Sequence, residues 1–141
     1  MKKQSLILLT VVFAFVLSTA SLPQSSGYSK SNSSLRVIEE NYLKGLKSDN
    51  QGLRISCAYF LGEMKSNRAV IPLMQMLSNE QHEGAKIIAA WSLIKIGDPR
   101  GVYRVRREAD LSTCCSVQCM CDFFYKQHLS SQNATNEVSK N

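Results

Sequence analysis

Hydrophobic residues in the middle of the chain recur at the spacing of an α-helix. The first set, Leu35, Ile38, Tyr42, Leu43 and Leu46, follows the positions i, i+3, i+7, i+8 and i+11 of one helical face. No stretch alternates between apolar and polar residues over enough length to predict a β-strand. The pattern predicts six helices, over residues 35–46, 53–64, about 69–77, 85–96, 102 to about 111, and 118–129.

Short polar segments mark the ends of several of these helices. Ser48-Asp49-Asn50-Gln51 has the pattern of a capping box, in which Ser48 would accept hydrogen bonds from the first amides of the second helix. Pro72 falls near the first turn of the third helix, where a missing amide hydrogen removes no helical hydrogen bond. Gly97-Asp98-Pro99 is a strong stop signal for the fourth helix.

Three of the predicted helices repeat at an interval of 32 residues. Shifting residues 54–61 by 32 aligns them with residues 86–93, and a second shift aligns them with residues 118–125. In each copy a long polar residue comes first, a small residue fourth and an aromatic residue sixth. Because one helix pair cannot bury its apolar face alone, the repeat predicts three stacked pairs. The predicted fold class is therefore all-α, a short α-solenoid of about three helical hairpins.

Two segments resemble a known family. They are LKGLKSDNQGLRISCAYFLGEM at residues 43–64 and AVIPLMQMLSNEQHEGAKIIAAWSLIKIGDPRGV at residues 69–102. Together with a weaker third copy they resemble HEAT-like repeats, and most of all the short bacterial repeats of the phycobilin-lyase type. The resemblance extends over residues 35–129 and is weakest at Asp122, where the earlier copies have Ala58 and Ala90. It implies a solenoid used as a protein-interaction surface, and it does not imply catalysis.

The N-terminal residues have the layout of a secretory signal peptide. Lys2 and Lys3 precede an apolar run over residues 6–17, and Ser18-Thr19-Ala20 is a small-x-small cleavage site. The run is shorter than the roughly 20 apolar residues that a spanning helix needs. We therefore expect cleavage after Ala20, export to the periplasm or the medium, and no stable membrane anchor afterwards. The predicted organisation is a signal peptide over 1–20, a flexible leader over 21–34, the repeat domain over 35–129 and a disordered tail over 130–141.

The charge of the chain argues against nucleic acid as a partner. Its 141 residues carry a formal charge of +6, from 17 basic and 11 acidic residues. Loss of Lys2 and Lys3 with the signal peptide leaves 15 basic residues and a charge of +4. This excess is mild, and we expect no nucleic acid partner.

The five cysteines allow three interpretations. In the repeat register, Cys121 shares a column with Cys57 and Ala89, which favours packing in the core. Export favours oxidation instead, and a disulfide would then involve Cys114 or Cys115, which fall between helices. A metal site using the CCSVQCMC run is the third, although its spacing matches no standard zinc motif and we predict no metal ligands.

An aromatic column is the main candidate for binding. Tyr59, Trp91 and Phe123 occupy equivalent repeat positions and point about 240° around the helical wheel from Leu53. Stacked repeats would align them into one apolar ridge, with Ile55 and Ile87 beside it, and exposed aromatic residues are favoured contact points. The alternative is that these side chains are buried by neighbouring segments.

The sequence therefore predicts a non-enzymatic protein-interaction module without a cofactor. No Ser, His or carboxylate arrangement indicates catalysis, and no glycine-rich phosphate loop is present. A Cys-dependent redox or metal-handling protein and an accessory subunit of an enzyme are the alternatives. The expected partner is another protein, and self-association is also plausible because an open solenoid end exposes apolar faces. A basic cluster, Arg100, Arg104, Arg106 and Arg107, could face an acidic partner or solvent.

Overall fold

The chain folds into helices joined by short turns. The computed structural model describes residues 27–138, and side chains are described for residues 33–135. From Ser34 onward the described residues form one compact unit. The helices are α1 (Gly27–Gly45), α2 (Gln51–Glu63), α3 (Val70–Asn79), α4 (Glu83–Ile96), α5 (Pro99–Leu111) and α6 (Cys115–Val138), with a 3-10 turn over Asn67–Ala69 before α3. The described range contains no strand, and the all-α prediction is confirmed.

The predicted 32-residue register is present in the backbone. Helices α2, α4 and α6 begin at Gln51, Glu83 and Cys115, so that Arg54, Lys86 and Gln118 are each the fourth residue of their helix. Helix α4 packs against both α2 and α6, while α3 and α5 pack against their own hairpin partners. The second helices of successive hairpins therefore form one continuous layer, as expected for a solenoid.

The helix caps follow the sequence with one correction. The cap of α2 is Asn50, whose side-chain oxygen accepts a hydrogen bond from the Leu53 amide at 3.0 Å. Ser48, predicted as the cap, instead accepts from the Asn50 amide at 3.1 Å, because it lies two residues too early to reach the first helical amides. Gly97 ends α4 with a left-handed φ of 77°, and Asp98 caps α5 through the Arg100 amide.

The core lies between the layers of helices, and small residues set its closest contact. Cys57, Ala89 and Cys121, predicted as a small core column, are all buried. The hydroxyl of buried Ser92 lies 2.8 Å from the carbonyl oxygens of Ala58 on α2 and of Ile88 on its own helix. This hydrogen bond joins α4 to α2 where the two helices approach most closely, beside Gly62.

One predicted core stripe is only half correct. Cys57 and Leu61 are buried, but Leu53 and Met64 at its ends are exposed. Ala85 and Val117, the repeat equivalents of Leu53, are fully buried because a preceding second helix packs against α4 and α6. Helix α2 belongs to the first hairpin, so its Leu53 has no such neighbour among the described residues.

Two helices extend beyond the limits that hydrophobic spacing predicts. Helix α1 begins at Gly27, within the predicted leader, and α6 continues to Val138, within the predicted tail. Hydrophobic periodicity does not register these turns because they are polar and bury little. The predicted domain limits stay predictions, and the predicted signal peptide lies outside the described residues. Within the described residues, no helix has both the length and the hydrophobicity to cross a bilayer.

Candidate functional site

Two aromatic residues of the predicted ridge stack across neighbouring hairpins. The rings of Tyr59 on α2 and Trp91 on α4 lie nearly parallel, with an angle of 9° and 5.0 Å between their centroids. The two residues are 32 positions apart, so the stack follows directly from the repeat register. Tyr59 is 42% exposed and Trp91 is half-buried, which leaves ring edges open to solvent.

The stack continues toward α1 through residues that the sequence did not single out. Phe60 meets Tyr59 edge-on at 5.5 Å and lies parallel to Tyr42 at 5.2 Å. Phe60 is 44% exposed, and Tyr42 is half-buried. We call the four rings of Tyr42, Phe60, Tyr59 and Trp91 the aromatic ladder. Each ring contact in the ladder adds about 0.5–1.5 kcal/mol beyond the burial of area.

A charged pair lies beside the Trp91 end of the ladder. The ammonium nitrogen of Lys95 lies 5.2 Å from the centre of the Trp91 ring, within the range of a cation–π contact. The same nitrogen lies 3.1 Å from a carboxylate oxygen of Glu63 on α2. Both side chains of this ion pair are exposed, so we expect it to fix the position of Lys95 more than to stabilise the fold.

The other predicted ridge residues do not extend the ladder. Phe123 is 55% exposed, and its ring meets Phe124 edge-on at 5.9 Å; within the described range no ring contact joins it to Trp91. Ile55 and Ile87 are partly buried and pack against the core cluster. The structure thus brings Tyr59 and Trp91 together, keeps Ile55 and Ile87 at the edge of the core, and leaves Phe123 apart.

The five cysteines divide into buried and accessible thiols. Cys57 and Cys121 are buried, Cys114 is half-buried, and Cys115 and Cys119 are exposed, all as free thiols. Burial raises the pKa of both buried thiols, and that of Cys121 reaches about 12. Cys119, assigned to the column of Ile55 and Ile87, is exposed on α6 instead. The predicted disulfide at Cys114 or Cys115 stays a prediction.

We expect this division to appear as selective alkylation. With iodoacetamide at about pH 8, Cys115 and Cys119 should react first, because only thiolates attack and a buried thiol is both protonated and inaccessible. Peptide mass spectrometry of the folded protein measures the order of modification. All five cysteines should react in denaturant, and labelling of Cys121 as fast as Cys115 in the folded protein would contradict the division.

The structure offers no metal-binding cluster to these thiols. Among the described residues, no group of three or more His, Cys, Asp or Glu side chains could hold a metal ion. The half-buried His128 instead lies 2.9 Å from the side-chain nitrogen of Gln132, one helical turn further along α6.

The basic cluster is divided among separate contacts. Arg100 binds the Asp98 carboxylate at 3.0 Å, and Arg104 binds Glu108 at 3.2 Å. Arg106 lies 5.6 Å from the ring centre of Tyr125 on α6. The cluster is therefore not one uniform acceptor surface, because two of its four members already hold a carboxylate.

Two further arginines connect the hairpins. Arg68 binds the carboxylates of Glu39 at 3.0 Å and Glu40 at 2.7 Å, which joins the turn before α3 to α1. The shared column of Arg68 and Arg100 thus carries an inter-hairpin contact only at Arg68.

Arg54 joins the turn before α2 to the end of α3. Its guanidinium donates to the Glu80 carboxylate and to the carbonyl oxygens of Ser48 and Asp49. The bonds from Arg54 hold the pKa of Glu80 below its usual range. The folded state therefore favours the Glu80 anion, so this contribution to stability is present above the unfolded pKa and is lost as the pH falls through the folded pKa.

Comparison with known proteins agrees with this architecture. A family model described as PBS lyase HEAT-like repeat matches residues 53–79. The match extends over most of α2, the turn at Arg68 and all of α3, and thus contains the junction between the first two hairpins. No curated protein matches the chain in sequence.

Proposed function

Because this chain is a HEAT-like repeat protein, we propose that it acts as a non-enzymatic scaffold that binds another protein through the aromatic ladder. Helical repeats stack into extended surfaces that suit protein recognition, and such surfaces supply shape without chemistry. The proposal needs no cofactor. It also places the protein in the exported compartment, on the basis of Lys2, Lys3, the apolar run and the cleavage site at Ala20.

One observation carries the proposal, namely the stacking of Tyr59 on Trp91 with both ring edges open to solvent. Aromatic residues with many contacts and few rotatable bonds are favoured anchors in protein interfaces. A ring that is already stacked loses little further freedom when a partner covers it. The neighbouring ion pair of Lys95 with Glu63 adds a polar rim to this apolar centre.

The test is capture of a partner by the full chain and by two variants. Affinity purification from the exported fraction should retain a specific protein with the wild type and lose it with the Tyr59→Ser, Trp91→Ser double variant, by about tenfold or more. Leu111→Ser is the matched control, because Leu111 is an exposed apolar residue outside the ladder. Circular dichroism checks that all variants stay helical.

The outcome has a clear opposite. Capture by the double variant at the wild-type level would exclude the ladder as the binding surface. An independent readout is Trp91, the single tryptophan of the chain, whose emission should shift to shorter wavelength when the captured partner covers it. Emission that is unchanged by the bound partner would contradict the proposal even if capture occurs.

A second function, Cys-dependent redox or metal handling, has one observation in its favour. Cys115 and Cys119 are exposed thiols four residues apart on α6, so they share one helical face. Thiol titration after mild oxidation should then show loss of both thiols together, and metal analysis should find a bound ion. Two independently reacting thiols and a metal-free protein would exclude this function.

A further inference from the structure

A groove lies between α5 and α6, at the end of the solenoid opposite to α1 in chain order. It has a volume of about 270 Å³. Its apolar and aromatic lining includes Val102, Tyr103, Tyr125 and Leu129, of which Tyr103 is 65% exposed. A space of this size accommodates one or two large side chains rather than a whole cofactor.

The repeat register explains why this groove is open. Val102 and Tyr125 lie 32 residues after Val70 and Leu93, and both earlier residues are fully buried. Leu93 is covered by the next hairpin, since a Cβ added at Gly101 on α5 would lie 2.9 Å from its side chain. No described hairpin follows α6, so the third hairpin presents to solvent a surface that the second covers with a helix. A helix is therefore the natural occupant of this groove.

The charge of the groove selects which helix. Arg106 and His128 line it, and none of its lining residues is acidic. Arg106 contacts the Tyr125 ring, and no carboxylate in the described part of the chain lies within ion-pair distance of it. Nearby Arg104, by contrast, is bound to Glu108. A guanidinium beside an apolar groove is a specific receptor for a carboxylate.

We propose that this groove binds an amphipathic helix of a partner protein, which inserts apolar side chains between α5 and α6 and pairs a carboxylate with Arg106. The site is separate from the aromatic ladder and does not rest on its function. Helix-in-groove recognition of this kind uses apolar anchors one or two turns apart, which fits the spacing of the groove along α6.

A second copy of the chain is a poorer occupant. In the close contact between hairpins, Ser92 of one hairpin lies against Gly62 of the preceding one. A copy stacked in the same register would bring Phe60, the equivalent of Ser92, against Lys126, the equivalent of Gly62. Two large side chains would then replace two small ones, so the ends of two copies do not reproduce the contact that joins the hairpins.

The test uses two synthetic peptides of about 18 residues, long enough for about five helical turns. Both peptides carry the same leucine face and a fluorescein label, and they differ in having glutamate or lysine along the edges of that face. Fluorescence anisotropy with the full chain should give a Kd of about 100 µM or tighter for the glutamate peptide, and binding at least about tenfold weaker for the lysine peptide.

Variants of adjacent arginines separate the groove from the general charge of the chain. Arg106→Glu should reverse the preference, so that the lysine peptide binds more tightly. Arg107→Glu changes the net charge equally, and Arg107 does not line the groove, so affinities should stay within about twofold of the wild type apart from the general charge effect. The Tyr59→Ser, Trp91→Ser variant should bind the glutamate peptide like the wild type, which keeps this result independent of the ladder.

Three results would overturn the proposal. The first is the absence of binding by the glutamate peptide at that affinity. The second is an equal change of preference in the Arg106→Glu and Arg107→Glu variants, because the attraction would then belong to the net charge. The third is a wild-type dimer, detected by light scattering, that Arg106→Glu dissociates, because the occupant would then be a second copy.

Discussion

Replacement of Leu93 by alanine is expected to lower the free energy of unfolding by about 2–5 kcal/mol. Leu93 is fully buried on α4, which contacts α2, α3, α5 and α6. The substitution removes three carbon atoms from the centre of the stack, and Gly101 beside it has no side chain with which to fill the space. The loss therefore includes both the transfer free energy of the side chain and the cost of the cavity.

The matched control is Leu111→Ala, the same substitution on the neighbouring helix. Leu111 is 66% exposed, so its truncation should change the free energy of unfolding by less than about 0.5 kcal/mol. Urea denaturation followed by far-UV circular dichroism gives both values. Equal effects of the two substitutions would mean that α4 is not the centre of the fold.

Gly62→Ala is the second substitution expected to have a large effect, about 1–3 kcal/mol of destabilisation. A Cβ at Gly62 would lie 2.8 Å from both Cα and Cβ of Ser92. The Cα is a backbone atom, so the contact cannot be relieved by a rotamer change, and α2 must move away from α4. That movement would also lengthen the hydrogen bond from Ser92 to the Ala58 carbonyl.

The same substitution at Gly52 is the control. Gly52 lies in the first turn of the same helix, is exposed, and has only the side-chain oxygen of Asn50 within 3.3 Å of an added Cβ. Alanine favours a helix over glycine by up to about 1 kcal/mol, so Gly52→Ala should be neutral within about that amount. Wild-type stability in Gly62→Ala would show that the two helices are further apart than described.

The sequence predicted the register of this fold better than its surfaces. The 32-residue interval placed Arg54, Lys86 and Gln118 at equivalent helical positions, and they are all fourth residues of their helices. The interval also identified Cys57, Ala89 and Cys121 as core, because a column that stays small is a position where helices approach. These features depend on periodicity alone, which a single sequence contains.

The ladder depended on information that periodicity does not contain. Equivalent columns fix where the backbone of Tyr59, Trp91 and Phe123 lies, but the side-chain torsions are set by the neighbours of each ring. Phe123 lies against Phe124, whereas Trp91 lies against Tyr59. Tyr42 had been assigned to a core face and Phe60 to no face, so the two rings that extend the stack could be found only from their contacts.

The contact between Gly62 and Ser92 has a consequence for how such a chain could lengthen. Helical-repeat proteins commonly grow by tandem duplication of one unit. Copying the second hairpin in place would set a new Ser92 against Ile94, which occupies the column of Gly62, and the narrow contact would be lost. The three hairpins therefore form an ordered series rather than interchangeable modules, and growth by insertion would first require a glycine or alanine at position 94.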